Sequence, residues 1–226
     1  MKMFTPGELP SALLFDLDGT LLDSVPDLAE AVDRMLAGLG HPVAGGERVR
    51  QWVGNGSRKL VQRALAWALA TPEDAVGDAA IDAAQEGFMV HYQDCCTDRS
   101  CLYEGVLPAL QHWHRLAVPM ACVTNKPGRF TERLLDHIAL RPYLPFAISG
   151  DTLPTRKPDP AMLFAACERL AVPPALAVLL GDSRNDVQAA RAAGMGVVCV
   201  SYGYNHGRPV AAEQPDRLVD SLLELV

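Results

Sequence analysis

Short apolar runs alternate with stretches whose apolar residues recur at helical spacing. The runs are residues 12–15, 120–124, 146–149, 177–180 and 196–200. Each is followed by polar or glycine-containing residues, as expected of strands buried on both faces of a parallel sheet. Helical patterns cover residues 106–116, 130–138, 161–170 and 186–193 and separate the later runs. This alternation predicts an α/β fold, a Rossmann-like parallel sheet with crossover helices. One interval breaks the rhythm. More than a hundred residues separate the first two runs, and residues 27–39, 57–70 and 73–93 within it carry helical stripes. One stripe is Leu28, Val32, Leu36 and Leu39; another is Leu60, Val61, Ala64, Leu65 and Ala68. The expected organisation is an α/β core from residues 1–23 and 96–226, with a small all-helical cap, residues 24–95, inserted after the first strand.

Composition narrows the function without naming it. The chain has 226 residues, 49% hydrophobic and 21% charged, ordinary for a globular protein. A net charge of -7 offers no basic field for nucleic acid. No apolar run approaches the ~20 residues of a membrane helix. Residues 1–8 lack the charged-then-apolar layout of an export leader, so a cytoplasmic location is the expectation. The partner is then a small molecule, and the sequence leaves open whether the chain is a monomer or a dimer. The six cysteines read as reduced thiols. Cys95, Cys96 and Cys101, with His91 nearby, match no C-x2-C zinc spacing. His91, His112 and His114 read as surface or packing residues.

The chemistry gathers where the strands end. In open parallel sheets ligands bind beyond the carboxyl ends of the strands. Those ends carry Asp16-Leu17-Asp18-Gly19-Thr20, then Thr124-Asn125-Lys126, then Gly150-Asp151 with Lys157 beyond, then Gly181-Asp182-Ser183-Arg184-Asn185-Asp186. Carboxylates on one rim repel unless a cation lies among them, and hard oxygen donors suit Mg²⁺. Asp16 and Asp182 are the expected side-chain ligands. Asp18, two residues on, is free to act as acid or base, Thr124 can donate to a phosphoryl oxygen, and Lys157 adds positive charge. These parts suffice for phosphoryl transfer to a carboxylate.

Those four motifs, in that order, resemble the haloacid dehalogenase superfamily, and the helical insert resembles its small cap. A narrower resemblance, to bacterial phosphoglycolate phosphatases, rests on Trp52-Val53-Gly54-Asn55-Gly56, on Tyr202-Gly203-Tyr204-Asn205-His206-Gly207 and on the stretch from Gly181 to Ala190. The resemblance implies Asp16 as nucleophile and Asp18 as general acid/base. It implies Mg²⁺ held by Asp16, Asp182 and the Asp18 main-chain carbonyl, phosphoryl contacts from Thr124, Asn125 and Lys157, and Asp186 orienting Lys157. It makes 2-phosphoglycolate the expected substrate, with a phosphatase or mutase for another small sugar or acid phosphate as the alternative. A dehalogenase would need neither Asp18 nor Mg²⁺, and a phosphonatase would need a cap lysine, for which Lys59 is the sole candidate. A binding module that had lost its chemistry would lack motif residues, and none is missing. For substrate contact by the cap, the sequence points to Gly54, Asn55 and Gly56, which free backbone N–H groups at a helix start. Arg58 and Lys59 follow in a first turn where cations disfavour the helix.

Overall fold

The computed structural model describes residues 9–226; the octet read above for a leader lies outside them. Strand β1 (Ala12–Phe15) starts the sheet. The chain then leaves through a two-residue strand, β2 (Leu22–Asp23), and runs through four helices: α1 (Val25–Gly38), α2 (Gly46–Trp52), α3 (Ser57–Ala68) and α4 (Asp78–Cys95). It returns through β3 (Cys101–Leu102), which pairs antiparallel with β2. After that α5 (Val106–Arg115), β4 (Met120–Val123), α6 (Gly128–His137), β5 (Ala147–Ile148) and α7 (Ala161–Leu170) alternate. The chain finishes with β6 (Ala177–Gly181), α8 (Arg184–Ala192), β7 (Gly196–Val200) and β8 (Arg217–Val219). The six-stranded sheet has the order β5-β4-β1-β6-β7-β8, all pairs parallel. Among the described residues no helix is long and apolar enough to cross a membrane.

Alternation along β1 splits the core in two, as strand geometry requires. Leu13 and Phe15 join the cluster that includes Leu110 and Trp113 of α5 and Leu134 of α6. Ala12 and Leu14 face the opposite cluster, with Leu163 and Ala166 of α7 and Val187 of α8. The four helices between β2 and β3 bury a third cluster, including Val32, Leu36, Val61, Leu65 and Phe88, which Phe130 and Tyr204 from outside them join.

The departures from the sequence reading have local causes. The expected helix over residues 73–93 is broken: a 3-10 turn, Glu73–Ala75, precedes α4, with Gly77 capping the new start. Helix α2 escapes periodicity because its seven residues bury only Val49. Strand β8 is three residues at the sheet edge, with only Val219 buried, too short and too polar to register as a strand. Leu39 lies past the end of α1 and is 50% exposed, so it is not part of the α1 stripe.

The return of the chain from the helices is fastened by one carboxylate. Asp27, fully buried in the first turn of α1, accepts from Arg99 N at 3.0 Å, Ser100 N at 2.8 Å and Ser100 Oγ at 2.7 Å. Deleting it strands buried donors, each worth roughly 1–3 kcal/mol. Asp27→Ala is therefore expected to cost about 3 kcal/mol or more in urea unfolding, and Asp27→Asn, which keeps one acceptor oxygen, clearly less. A loss under about 1 kcal/mol for the alanine variant would mean that water takes over the role.

Candidate active site

Sheet register brings the chemistry together. Phe15 is level with Cys122 of β4 and Leu180 of β6, so Asp16, Thr124 and Asp182 leave three neighbouring strands at one rim. Asp16 N donates to Leu180 O and Thr124 N to Ile148 O, extending the ladder to the site itself.

Lys157 sits at its centre. Its buried ammonium donates to Asp16 Oδ1 at 2.8 Å, Asp186 Oδ1 at 2.7 Å and the Val123 carbonyl at 2.7 Å. Burial alone would lower its pKa, but the Asp16 and Asp186 carboxylates outweigh burial and hold it above the usual lysine value. The other oxygen of Asp186 is fully occupied: it accepts from Asp182 N, Ser183 N and Ser183 Oγ, closing a capping box at the start of α8. Asp186 thus holds the loop and the lysine.

Carboxylate oxygens of Asp16, Asp182 and Asp186, all three residues buried, lie within 4.8 Å of one another. Burial pushes Asp16 up to about 6, with Asp186 and Asp18 adding repulsion and Lys157 opposing it. Burial likewise pushes Asp182 well above the carboxylate range, with Asp186 and Asp16 adding to it. Three buried carboxylates against one ammonium leave a deficit of positive charge, and the donors are hard oxygens, so the set fits a divalent cation such as Mg²⁺. Among the described residues, Asp16 Oδ1 is engaged by Lys157 and Asp182 Oδ2 by Tyr204 N at 2.6 Å, while Asp16 Oδ2 and Asp182 Oδ1 have no protein partner.

Asp18, expected to act as acid or base, is held by neighbouring side chains. It accepts from Ser24 Oγ at 2.6 Å and from Lys126 Nζ at 3.0 and 3.1 Å. Asn125 uses its amide donors on the Gly54 and Lys157 carbonyls, both at 2.9 Å, and so ties the helical loop to the rim. Asn185 also donates to Gly54 O. Asn55 donates to Asn185 Oδ1. Gly54 has φ +119° and Gly56 φ +84°, and a Cβ on Gly56 would lie 2.6 Å from the Arg156 guanidinium, so both positions require glycine.

Asp16, Asp18, Thr124, Asn125, Gly54 and Gly56 all line one cavity between sheet rim and helices. Arg58 and Lys59 do not line it. Arg58 reaches Asp78 at 2.6 Å and Asp82 at 3.2 Å, and Lys59 reaches Glu73 at 2.6 Å. The misplaced first-turn charges are answered by carboxylates of the next helix and turn.

Sequence reasoning passed over three residues here. Lys126 was quoted in its motif without a role, and it is buried in the cavity wall. Tyr92 of α4 accepts from Lys126 Nζ at 2.7 Å, and burial, with Asp18 and Cys96 nearby, holds its phenol neutral. Tyr204 N binds Asp182, while its hydroxyl accepts from Ser24 N and donates to Asp23. The signal for Lys126 was the scarcity of lysine; Tyr92 left none. All six cysteines are free thiols, with Cys101 alone exposed.

Residues 10–194 match the haloacid dehalogenase-like hydrolase family. The chain belongs to that family. This haloacid dehalogenase-like hydrolase is 48% identical over 221 residues to a phosphoglycolate phosphatase of Pseudomonas fluorescens (strain Pf0-1), spanning 98% of the chain and 80% of the relative. It is 43% identical to the phosphoglycolate phosphatase of Nitrosococcus oceani, over 96% of the chain and 95% of the relative. The crystal structure of a predicted phosphoglycolate phosphatase from Haemophilus somnus 129pt matches the hydrolase with a TM-score of 0.89 at 32% identity, covering 95% of this chain and 96% of that one.

The raised carboxylates give the hydrolase a pH signature. Asp16 binds its proton more tightly folded (about 6) than unfolded (3.8), so its contribution favours the folded state below the unfolded pKa and is lost as pH rises through about 6. Raising pH from about 5 to 7 should lower the melting temperature in chelator, and less so in Asp16→Asn. Because a metal must displace that proton, Mg²⁺ should raise the melting temperature more at pH 7 than at pH 5. A larger Mg²⁺ increment at pH 5 would overturn the assignment of these carboxylates as ligands.

Proposed function

We propose that the protein is a Mg²⁺-dependent phosphomonoesterase that cleaves 2-phosphoglycolate to glycolate and phosphate through an aspartyl phosphate on Asp16. The observation that carries this is the state of Asp16: one oxygen is locked by Lys157 at 2.8 Å, the other has no partner among the described residues, and the residue lines the cavity. A carboxylate held at one oxygen is oriented for attack by the other. The names of the full-length relatives point to phosphoglycolate as the substrate.

In the first half-reaction Asp16 attacks phosphorus and the ester oxygen departs, taking a proton from Asp18. In the second, Asp18 accepts a proton from water, which attacks the aspartyl phosphate, releasing inorganic phosphate and restoring Asp16. The Thr124 hydroxyl and the Asn125 main-chain N–H donate to the phosphoryl oxygens through both steps, while Lys157, its protons engaged by Asp16, Asp186 and the Val123 carbonyl, contributes positive charge. Asp16, Asp182 and the Asp18 main-chain carbonyl would hold Mg²⁺, with Asp186 outside that set because its oxygens are already engaged. When bound, Mg²⁺ supplies the positive charge that lets a phosphate dianion approach buried carboxylates. Residues 24–95 act as a cap over the phosphoryl site.

Phosphate release measured over a panel of phosphorylated acids and sugars tests the reading. With Mg²⁺, 2-phosphoglycolate should be the best substrate, and chelator should abolish turnover. Asp16→Asn should reduce turnover at least ~10³-fold. Retention of a tenth of the activity in that variant would rule out covalent catalysis on Asp16.

A further inference from the structure

The core motifs handle only the phosphoryl group, so the substrate's remaining part must be recognised by the rest of the cavity wall. That wall is apolar on the helical side: Leu28, Val53, Leu60, Phe88 and Phe130 contribute to it. The cavity holds one cationic side chain among its described lining residues, Lys126. The sequence candidates for this task, Arg58 and Lys59, are spent on Asp78, Asp82 and Glu73 outside it.

We propose that Lys126 is the specificity residue of this enzyme, reading a second anionic group carried a few bonds from the phosphate ester oxygen, with Tyr92 as the residue that positions it. The inference rests on the phosphatase reading above and deepens it to a substrate class: compact phosphorylated acids. Lys126 follows Thr124 and Asn125 at the end of β4, so its stem starts beside the phosphoryl site. Its side chain is 3% exposed, and the ammonium lies 3.0 Å from Oδ1 of Asp18, the carboxylate assigned to the leaving oxygen. Whatever is attached to that oxygen must therefore pass close to Lys126.

The ammonium is held from the helical side as well. Tyr92 accepts one of its protons at 2.7 Å, and its ring lies 4.7 Å below the charge. That ring is fixed by Phe88, stacked at 5.5 Å, and Phe130, edge-on at 4.7 Å. The phenol cannot neutralise the lysine, since burial keeps it protonated. A second anion in this apolar wall thus meets a preorganised positive charge. A neutral group meets a lysine already satisfied by Asp18 and Tyr92, and leaves nothing unpaired. Discrimination should accordingly be modest, about 10–100-fold, rather than the 10⁴-fold or more of sites whose buried groups are stranded by the wrong substrate.

The test compares kcat/KM for 2-phosphoglycolate with that for ethyl phosphate, which has the same chain length and leaving-group type but no carboxylate. In the wild type the acid should be preferred. Lys126→Met should lower the ratio of the two values about 10–100-fold, mainly through KM for the acid. Lys126→Arg should recover most of the ratio by restoring charge, which a packing role would not predict. Tyr92→Phe should lower the ratio about threefold, and it serves as the reading if Lys126→Met fails to fold. A ratio unchanged in Lys126→Met, with both substrates slowed equally, would mean that Lys126 serves Asp18 alone; an unchanged ratio in the folded Tyr92→Phe would overturn the positioning role. A wild type that cleaves neither compound but cleaves another phosphate ester would instead bring down the phosphoglycolate reading, and the inference with it.

Discussion

The site is organised around one ammonium buried where water cannot solvate it. A lysine in such a place must be paired or lose its charge. Lys157 is paired three ways, by Asp16, Asp186 and the Val123 carbonyl. Each partner comes from a different part of the sheet: the residue after β1, the last carbonyl of β4, and the first turn of α8. Removing the lysine would leave the Asp16 and Asp186 carboxylates as uncompensated buried charge, so the ends of β1 and β4 and the start of α8 are bound to a common geometry. Asp186 extends the arrangement, since its second oxygen gathers the Ser183 loop and so sets Asp182 beside Asp16. Glycine is required at Gly181 because a side chain there would collide with Asp186.

Besides the Tyr92–Lys126 contact, the helical segment is joined to this centre at two further places. Beside β2, Tyr204 spans from Asp182, through its backbone N–H, to Asp23 and the Ser24 N–H, through its hydroxyl. Arg50 of α2 lies over the same ring at 4.9 Å and also reaches Asp23 at 3.4 Å. At the far side, Asn125 and Asn185 both donate to the Gly54 carbonyl. The carboxylate set and the position of the helices are therefore mechanically connected, and Tyr204 and Phe130 also join the apolar cluster of the helices.

Much of this was legible in the amino-acid order, and the boundary between what was and was not has a physical basis. Strands β1 and β7 could be read to the residue because strands covered on both faces are uninterrupted apolar runs. The placement of Asp16, Thr124 and Asp182 at one rim could be read because each stands at the end of an apolar run. Helix α2 and strand β8 could not, being shorter than the period needed to see them. Arg58 and Lys59 looked functional because their charges conflict with a helix start, a conflict that tertiary structure resolves with Asp78, Asp82 and Glu73. Lys126 stood in plain view, but its environment depends on Tyr92, which is distant in sequence and arrives from another layer. Motifs at strand ends are local facts; the wall opposite them is made by packing.

The position of β1 has a consequence for how the chain comes to be folded. It lies in the middle of the sheet, between β4 and β6, yet among the described strands of that sheet it is the earliest in the chain. Its neighbours begin at Met120 and Ala177, so an apolar ribbon destined for full burial waits for both. The helices from Val25 to Cys95 emerge in that interval with most of an apolar cluster, and helical contacts of short sequence separation form quickly. On a ribosome releasing about 5–20 residues per second, the helical part has seconds to assemble before the sheet can close. The nascent chain thus acquires the wall of its cavity before the floor, and β1 is the segment most in need of protection from aggregation meanwhile.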